Sequence, residues 1–114
     1  MKRNLLRTFG KESETVATRF LEEAGFVILG RNYYAGKLGE IDIIASKEGV
    51  VHFVEVKSAA ADFDPIINLT PVKLRRVVRS AQHYLKAHGL DTAYCIDVLL
   101  IRRGEVELLE NVTL

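Results

Sequence analysis

Two strand-like segments joined by a tight turn constrain the fold of this chain more than any other feature. Residues Glu40–Ala45 and Val50–Lys57 are rich in branched apolar side chains, and Lys47-Glu48-Gly49 separates them. A two-residue loop at Glu48-Gly49, with the glycine at positive φ, would pair the two segments as an antiparallel hairpin. The loop length then fixes which residues face each other.

That register places Asp42 opposite Glu55 and Glu40 opposite Lys57. Because side chains alternate along a strand, these four residues share one face of the hairpin. The alternate positions, which point into the core, are Ile41, Ile43, Val54 and Val56. Facing carboxylates destabilise a strand pair by roughly 0.2–1 kcal/mol, and a divalent cation between them would reverse that sign. Oxygen ligands suit Mg²⁺ or Mn²⁺ better than zinc. Spacing alone leaves an alternative open, a solvated face on which Lys57 neutralises the neighbouring acids.

Hydrophobic periodicity and capping signals predict one α/β domain spanning residues 1–114. In chain order the predicted elements are a helix over Lys11–Ala24, a strand from Phe26 to Tyr34, the two hairpin strands, an irregular connection over Ser58–Leu69, a helix from Pro71 to about His88, and strands over Tyr94–Ile101 and Val106–Leu109. This order predicts a central mixed five-stranded sheet flanked by two main helices. Residues 1–10 are predicted to form a flexible basic arm.

Positive charge is concentrated in two segments, although the net charge is only +1. Residues 1–11 and residues 71–88 contain nine of the sixteen lysines and arginines and no acid. A uniformly basic, nucleic-acid-coating surface is therefore excluded, whereas a local basic patch is not. In the second segment, Lys73, Arg76 and Arg79 recur at helical spacing. This stripe is either a solvated face or a surface that contacts backbone phosphates without regard to sequence.

Several classes of site are excluded by composition. The single cysteine, Cys95, excludes an internal disulfide and a cysteine-cluster zinc site, and the three histidines are scattered along the chain. The longest run without a charged residue has eight residues, Pro65–Val72, whereas a membrane-spanning helix needs about 20 apolar ones. No signal-peptide pattern precedes the first helix. We therefore expect a cytoplasmic protein with no membrane association and no small-molecule cofactor.

The hairpin residues resemble the signature of a known family. Gly39-Glu40-Ile41-Asp42-Ile43-Ile44-Ala45 followed by Phe53-Val54-Glu55-Val56-Lys57 is similar to the two motifs of the YraN-like family. These small bacterial proteins are placed in the restriction-endonuclease-like PD-(D/E)xK nuclease superfamily, which includes archaeal Holliday-junction resolvases. Further similarities cover about the whole chain: Gly10–Ala17 with Glu14 inside it, Arg31-Asn32, Lys73, Ala81–Leu85 and Asp97-Val98.

The resemblance implies a role for each site residue. Asp42 and Glu55 would ligate Mg²⁺ or Mn²⁺, with a backbone carbonyl near Val56 as a third oxygen ligand. Lys57 would orient the attacking water or stabilise the transition state. Glu14 is either the additional acid that the superfamily carries on its first helix or an acid that only complements the helix dipole. Glu40 is either part of the metal site or the structural cross-strand partner of Lys57.

The implied activity is Mg²⁺-dependent hydrolysis of DNA phosphodiester bonds by an endonuclease, with branched or flapped DNA among the candidate substrates. Lys11, Arg31 and the stripe on the second helix are the predicted DNA contacts. The sequence departs from the family where Ser58-Ala59-Ala60-Ala61 replaces basic positions. That departure favours the alternative, a DNA-binding module with the nuclease fold and little catalysis. A homodimer is a further hypothesis, with Val106–Leu109 or the apolar residues Ile66, Ile67 and Leu69 as its surface.

Overall fold

A computed structural model of the chain describes residues 2–59, 69–102 and 105–113, with side chains described from residue 13 onward and not at residue 59. It contains α1 (Lys2–Glu23), β1 (Val27–Tyr34), a 3₁₀ turn (Gly36–Leu38), β2 (Glu40–Lys47), β3 (Val50–Ala59), α2 (Pro71–Ala87), β4 (Ala93–Arg102) and β5 (Glu105–Leu109). The predicted α/β class, with five strands and two helices in the predicted order, is confirmed. None of the described helices is long and apolar enough to cross a membrane.

The five strands form one mixed sheet in the order β1-β2-β3-β4-β5. Only β3 and β4 run parallel, and the other neighbours are antiparallel. A parallel pair needs a crossover connection, and α2 lies in the connection between β3 and β4. The sheet is therefore a meander with one helical crossover, and that crossover brings α2 over the hairpin.

The β2–β3 hairpin has the predicted register between the Ile43–Val54 pair and the loop. Beyond that pair the predicted alternation fails, because Ile41 packs on the α2 side of the sheet and Ile43 on the α1 side. The ladder runs from the Ile43–Val54 pair to the Lys47–Val50 pair, which closes the loop. Both loop residues have positive φ, 52° at Glu48 and 80° at Gly49, as a two-residue turn of type I′ requires. This turn matches the twist of the flanking strands, so it holds the register that brings the acids together.

One hydrophobic cluster lies on each face of the sheet. The cluster beside α1 contains Ala17, Leu21, Phe26, Ile43, Ala45, Val54 and Leu99. The cluster beside α2 contains Ile41, Ile44, Val51, Phe53, Val77, Ala81, Tyr84, Leu85 and Ile96. Thr70 caps α2, because its side-chain oxygen accepts a hydrogen bond from the Lys73 backbone N–H at 3.2 Å and Pro71 follows it. The sheet is thus covered on both faces by the two helices.

The first helix differs from its prediction at the N-terminal end. It begins at Lys2 rather than Lys11, so residues 2–10 of the predicted basic arm belong to the helix. The physical reason is visible in the sequence, where Leu5, Leu6 and Phe9 continue the apolar spacing of the later turns. The side chain of Lys11, a predicted DNA contact, lies outside the described side chains.

Two surfaces were predicted as dimer contacts, the connection after β3 and the edge strand β5. Ile66 and Ile67 lie outside the described residues, whereas Leu69 lies beside the cavity described below. In β5, Val106 and Leu108 pack against the α1-side cluster, and Glu105 and Glu107 are exposed. The apolar residues of this edge strand are therefore used within the monomer, and its charged residues face water.

Candidate active site

The site is built where β2 separates from β3. The β2–β3 ladder ends at the Ile43–Val54 pair, whereas β3 stays paired with β4 as far as Ala59. One residue beyond the ladder, Asp42 Oδ2 accepts a hydrogen bond from the Val56 backbone N–H at 2.8 Å. The carboxylate takes the place of a backbone acceptor on the departing strand. This bond holds Asp42 against the part of β3 that carries Glu55.

One oxygen of the Glu55 carboxyl is unsatisfied. Its Oε1 is buried and has no hydrogen-bond partner among the residues that the structure describes. Burial, reinforced by the negative charge of Asp42, raises the pKa of Glu55 to about 8, although Lys57 opposes the shift. Burial also raises the pKa of Asp42, against the Val56 hydrogen bond. Without a cation, the Asp42–Glu55 pair therefore resists carrying two negative charges at neutral pH.

A cavity of about 180 Å³ lies between the end of β3 and the first half of α2. Its polar lining consists of Glu40, Glu55, Lys57, Lys73, Arg76 and Ser80. Within the described part of the chain, none of its three cationic side chains forms an ion pair with an acid. In particular, Glu40 and Lys57 share this cavity without an ion pair between them. The cavity therefore holds free positive charge beside the acid pair.

Glu14 lies near Asp42 but belongs to a separate contact. Its Oε2 accepts hydrogen bonds from Asn32 Nδ2 at 3.2 Å and from Arg31 at 3.4 Å. Its charge is close enough to contribute to the raised pKa of Asp42. The predicted DNA contact Arg31 is thus paired with an acid. Asn32, which sequence reasoning did not select, has a φ of 53° and directs its amide towards α1.

The basic stripe on α2 divides between two surfaces. Lys73 and Arg76 line the cavity beside Glu55 and Lys57. Arg79 instead lines a neighbouring groove with Leu74 and Val78. All three cations are exposed, as the predicted phosphate-contacting surface requires. The geometry therefore brings two of the three predicted residues to the acid pair.

Sequence reasoning missed a polar cluster at the opposite end of β3. His52 faces Cys95 across the parallel β3–β4 ladder, and Asp97 follows two residues later on the same face. His52 Nδ1 lies 2.6 Å from Asp97 Oδ2 and 3.1 Å from Cys95 Sγ. Among the described residues, these three side chains form the one group whose donor atoms lie within 4.8 Å of one another. The two-residue spacing of Cys95 and Asp97 on one strand was the available signal.

The donor atoms of this cluster already bond to one another. Asp97 is fully buried, and its Oδ1 accepts hydrogen bonds from the Asn111 backbone N–H at 2.9 Å and from Cys95 Sγ at 3.3 Å. Burial and the Asp97 charge raise the pKa of the Cys95 thiol to about 12, so the thiol stays protonated. The cluster therefore ties the segment after β5 to the sheet and does not present a nucleophile.

Comparison with known proteins identifies the family. The profile of Uncharacterised protein family UPF0102 matches residues 13–101, which include the hairpin, Glu14 and α2. The chain belongs to this family. It is the YraN-like family that the hairpin motifs resemble.

Relatives match over nearly their full length. A UPF0102 protein of Sulfurovum sp. is 56% identical over 112 residues, covering 98% of this chain and 99% of the relative. One from Wolinella succinogenes is 52% identical over 108 residues, covering 95% and 98%. One from Helicobacter pylori is 44% identical over 110 residues, covering 96% and 95%. The similarity to these relatives therefore extends over nearly the whole of each chain.

Proposed function

We propose that this UPF0102 protein is a Mg²⁺- or Mn²⁺-dependent endonuclease that hydrolyses DNA phosphodiester bonds. The observation that carries the proposal is the buried Oε1 of Glu55, which has no partner among the described residues and lies beside the Asp42 carboxylate. A pair of acids with raised pKa values and a free oxygen is stabilised by a divalent cation with oxygen ligands. The residues present therefore fit the metal that the family resemblance implies.

In the proposed reaction, the residues of this chain have separate roles. Asp42 and Glu55 would hold the metal, and the Val56 backbone carbonyl stays the predicted third ligand. When bound, the metal supplies an acidified water and neutralises charge on the phosphate. Lys57 lines the same cavity and stabilises the negative charge that develops on the phosphate. Lys73 and Arg76 bind the strand on the side of α2, through phosphates that every sequence shares.

The test is cleavage of labelled linear, flapped and four-way DNA in the presence of Mg²⁺ or Mn²⁺. We expect the wild type to cleave at least one of these substrates and Asp42→Ala to be at least about 100-fold slower, because it removes a metal ligand. The control is Asp91→Ala, since Asp91 is an exposed acid in the loop before β4. Equal rates for the wild type and Asp42→Ala would refute the proposal. DNA binding without cleavage would instead identify a binding module.

A second measurement follows the metal without requiring catalysis. A cation that binds only the folded protein stabilises it by about 2.7 kcal/mol at one hundred times its dissociation constant. We therefore expect Mg²⁺ at pH 8 to raise the melting temperature of the wild type by several degrees, and a chelator to reverse the shift. Asp42→Ala should lose the shift, whereas Asp91→Ala should keep it. An equal shift in all three proteins would place the cation elsewhere.

A further inference from the structure

A second buried polar atom that has no partner in the described part of the chain lies in the same cavity. Ser80 is 1% exposed, and its Oγ has no hydrogen-bond partner among the described residues. A serine inside a helix commonly bonds a backbone carbonyl of the preceding turn, and Ser80 does not. An unpartnered buried hydroxyl costs stability, so its presence at a cavity wall requires an explanation.

The surroundings of Ser80 are cationic. Lys73, Arg76 and Ser80 recur at three- and four-residue intervals, which places them on one side of α2, and all three line the cavity. Across from them, Gly39 has a φ of 126°, and a β-carbon there would lie 3.8 Å from Ser80 Oγ. That is an ordinary van der Waals distance, so a side chain at this position would begin to fill the space in front of the hydroxyl, which the glycine leaves free.

The size and charge of the cavity select the ligand. At about 180 Å³ it is smaller than the roughly 300–1,000 Å³ of pockets that enclose drug-sized molecules. A cavity of this size suits a group such as a phosphate. Lys57, Lys73 and Arg76 line it against Glu40 and Glu55, so the cations outnumber the acids even when both acids are ionised. An anion with several acceptor oxygens satisfies both the cations and the hydroxyl.

We propose that Ser80, Lys73 and Arg76 form a subsite for a backbone phosphate adjacent to the cleaved one. The inference rests on the proposed function, since that function supplies a nucleic-acid strand beside Glu55. Ser80 donates a hydrogen bond to a non-bridging phosphate oxygen, and the two cations neutralise its charge. Ser80 is thus a positioning residue that sets where the strand lies relative to the acid pair.

The experiment uses inorganic phosphate as the probe and requires no metal. Titration of the ¹⁵N-labelled full chain, followed by amide chemical shifts, should perturb Gly39 and the first half of α2. Ser80→Ala should weaken phosphate binding at least threefold, and the Lys73→Ala/Arg76→Ala double variant should weaken it further. The control is Ser46→Ala, because Ser46 lies at the far end of β2 and outside the cavity. We expect that variant to bind phosphate as the wild type does.

A thermal melt separates positioning from structural support. Because the Ser80 hydroxyl has no partner to lose, Ser80→Ala should melt at the wild-type temperature or above it. A fall of several degrees would show that the hydroxyl supports the fold, and it would overturn the inference. So would phosphate binding that Ser80→Ala leaves unchanged, or no phosphate binding at the cavity.

The inference and the proposed function fail separately. Cleavage that depends on Asp42, together with phosphate binding that ignores Ser80, would retain the nuclease and reject the subsite. Phosphate binding that depends on Ser80, in a protein that cleaves none of the DNAs, would reject the nuclease and retain an anion site.

Discussion

Two polar clusters, one toward each end of β3, differ in whether their buried oxygens have hydrogen-bond partners. At the first end, the buried Asp97 carboxylate accepts hydrogen bonds on both oxygens, from His52, Cys95 and Asn111. At the other end, Glu55 has a buried oxygen with no described partner, and its pKa is raised to about 8. Both acids lie on the same strand pair of one sheet. The oxygens of Asp97 therefore have hydrogen-bond partners within the protein, whereas one oxygen of Glu55 has none among the described residues.

This difference distinguishes a structural site from a binding site better than residue types do. By composition, a histidine, a cysteine and an aspartate are the more familiar metal ligands. Their donor atoms are nevertheless 2.6 and 3.1 Å apart, at hydrogen-bonding separations that the fold itself satisfies. Asp42 and Glu55 offer fewer metal-ligating groups. Their burial and mutual repulsion nevertheless raise the pKa of both carboxyls, so the ionised pair is destabilised in the folded protein. A ligand binds most favourably where buried polar groups of the folded chain lack hydrogen-bond partners.

The largest expected effect on stability comes from breaking the satisfied end. Asp97→Ala would leave the His52 ring and the Asn111 N–H without their acceptor inside the protein. We expect the free energy of unfolding to fall by about 3 kcal/mol or more. Urea denaturation measures it, with Glu107→Ala on the exposed face of β5 as the control. A loss below about 1 kcal/mol would contradict a structural role for Asp97.

The hairpin and the start of α2 were predictable because turn and helix-capping preferences depend on a few neighbouring residues. The loop at Glu48-Gly49 fixed the hairpin register, and Thr70-Pro71 fixed the start of α2. The start of α1 was predicted too late, because the prediction used the apolar spacing after Lys11 and left out Leu5, Leu6 and Phe9, which continue it. The cluster around Asp97 was missed because Asn111 supplies its backbone N–H from a distant part of the chain.

The next effect concerns the pH dependence at the unsatisfied end. The folded protein holds a proton on Glu55 up to a pKa of about 8, whereas the ordinary value is 4.5. The folded state therefore binds more protons than the unfolded state between these values. Stability must fall as the pH rises through this window and level off above it.

Glu55→Gln should remove most of this slope. We expect the variant to match the wild type near pH 5 and to be more stable at pH 8 by on the order of 2 kcal/mol, below the full shift at about 1.4 kcal/mol per pKa unit, since water enters the cavity. Denaturant unfolding at a series of pH values measures the slope, with Glu105→Gln as the exposed control. A slope that persists unchanged in Glu55→Gln would assign it to another group.

The site itself was predictable only in part. The register predicted from the sequence selected Asp42, Glu55 and Lys57, although the β2–β3 ladder itself ends one pair earlier, at Ile43–Val54. The position of Ser80 and the separation of Arg79 from Lys73 and Arg76 depend on how α2 lies over the sheet. That packing is set by side chains from several elements, among them Phe53, Val77 and Tyr84. A helical stripe read from sequence cannot show where one cavity ends and the next groove begins.

The smallest expected effect on stability accompanies a large effect on binding. Lys73, Arg76 and Arg79 lie in the first half of α2, where Lys73 and Arg76 line the cavity with Glu55, whereas Lys86 lies in the last turn and does not line that cavity. Replacing the first three with alanine should change the free energy of unfolding by no more than about 0.5 kcal/mol, because exposed charges contribute little to folding. DNA binding should nevertheless weaken for every sequence alike.

Salt dependence assigns that loss to phosphate contacts at the unsatisfied end. The slope of log affinity against log salt should fall by about 0.9 for each duplex phosphate contact removed. Fluorescence anisotropy over a salt series, with a chelator present to prevent cleavage, measures the slope for the triple variant and for Lys86→Ala. Lys86→Ala should retain the wild-type slope. If the slope fell equally per removed charge in the triple variant and in Lys86→Ala, the attraction to DNA would come from the whole of α2. The residues near Glu55 would then have no special role in DNA binding.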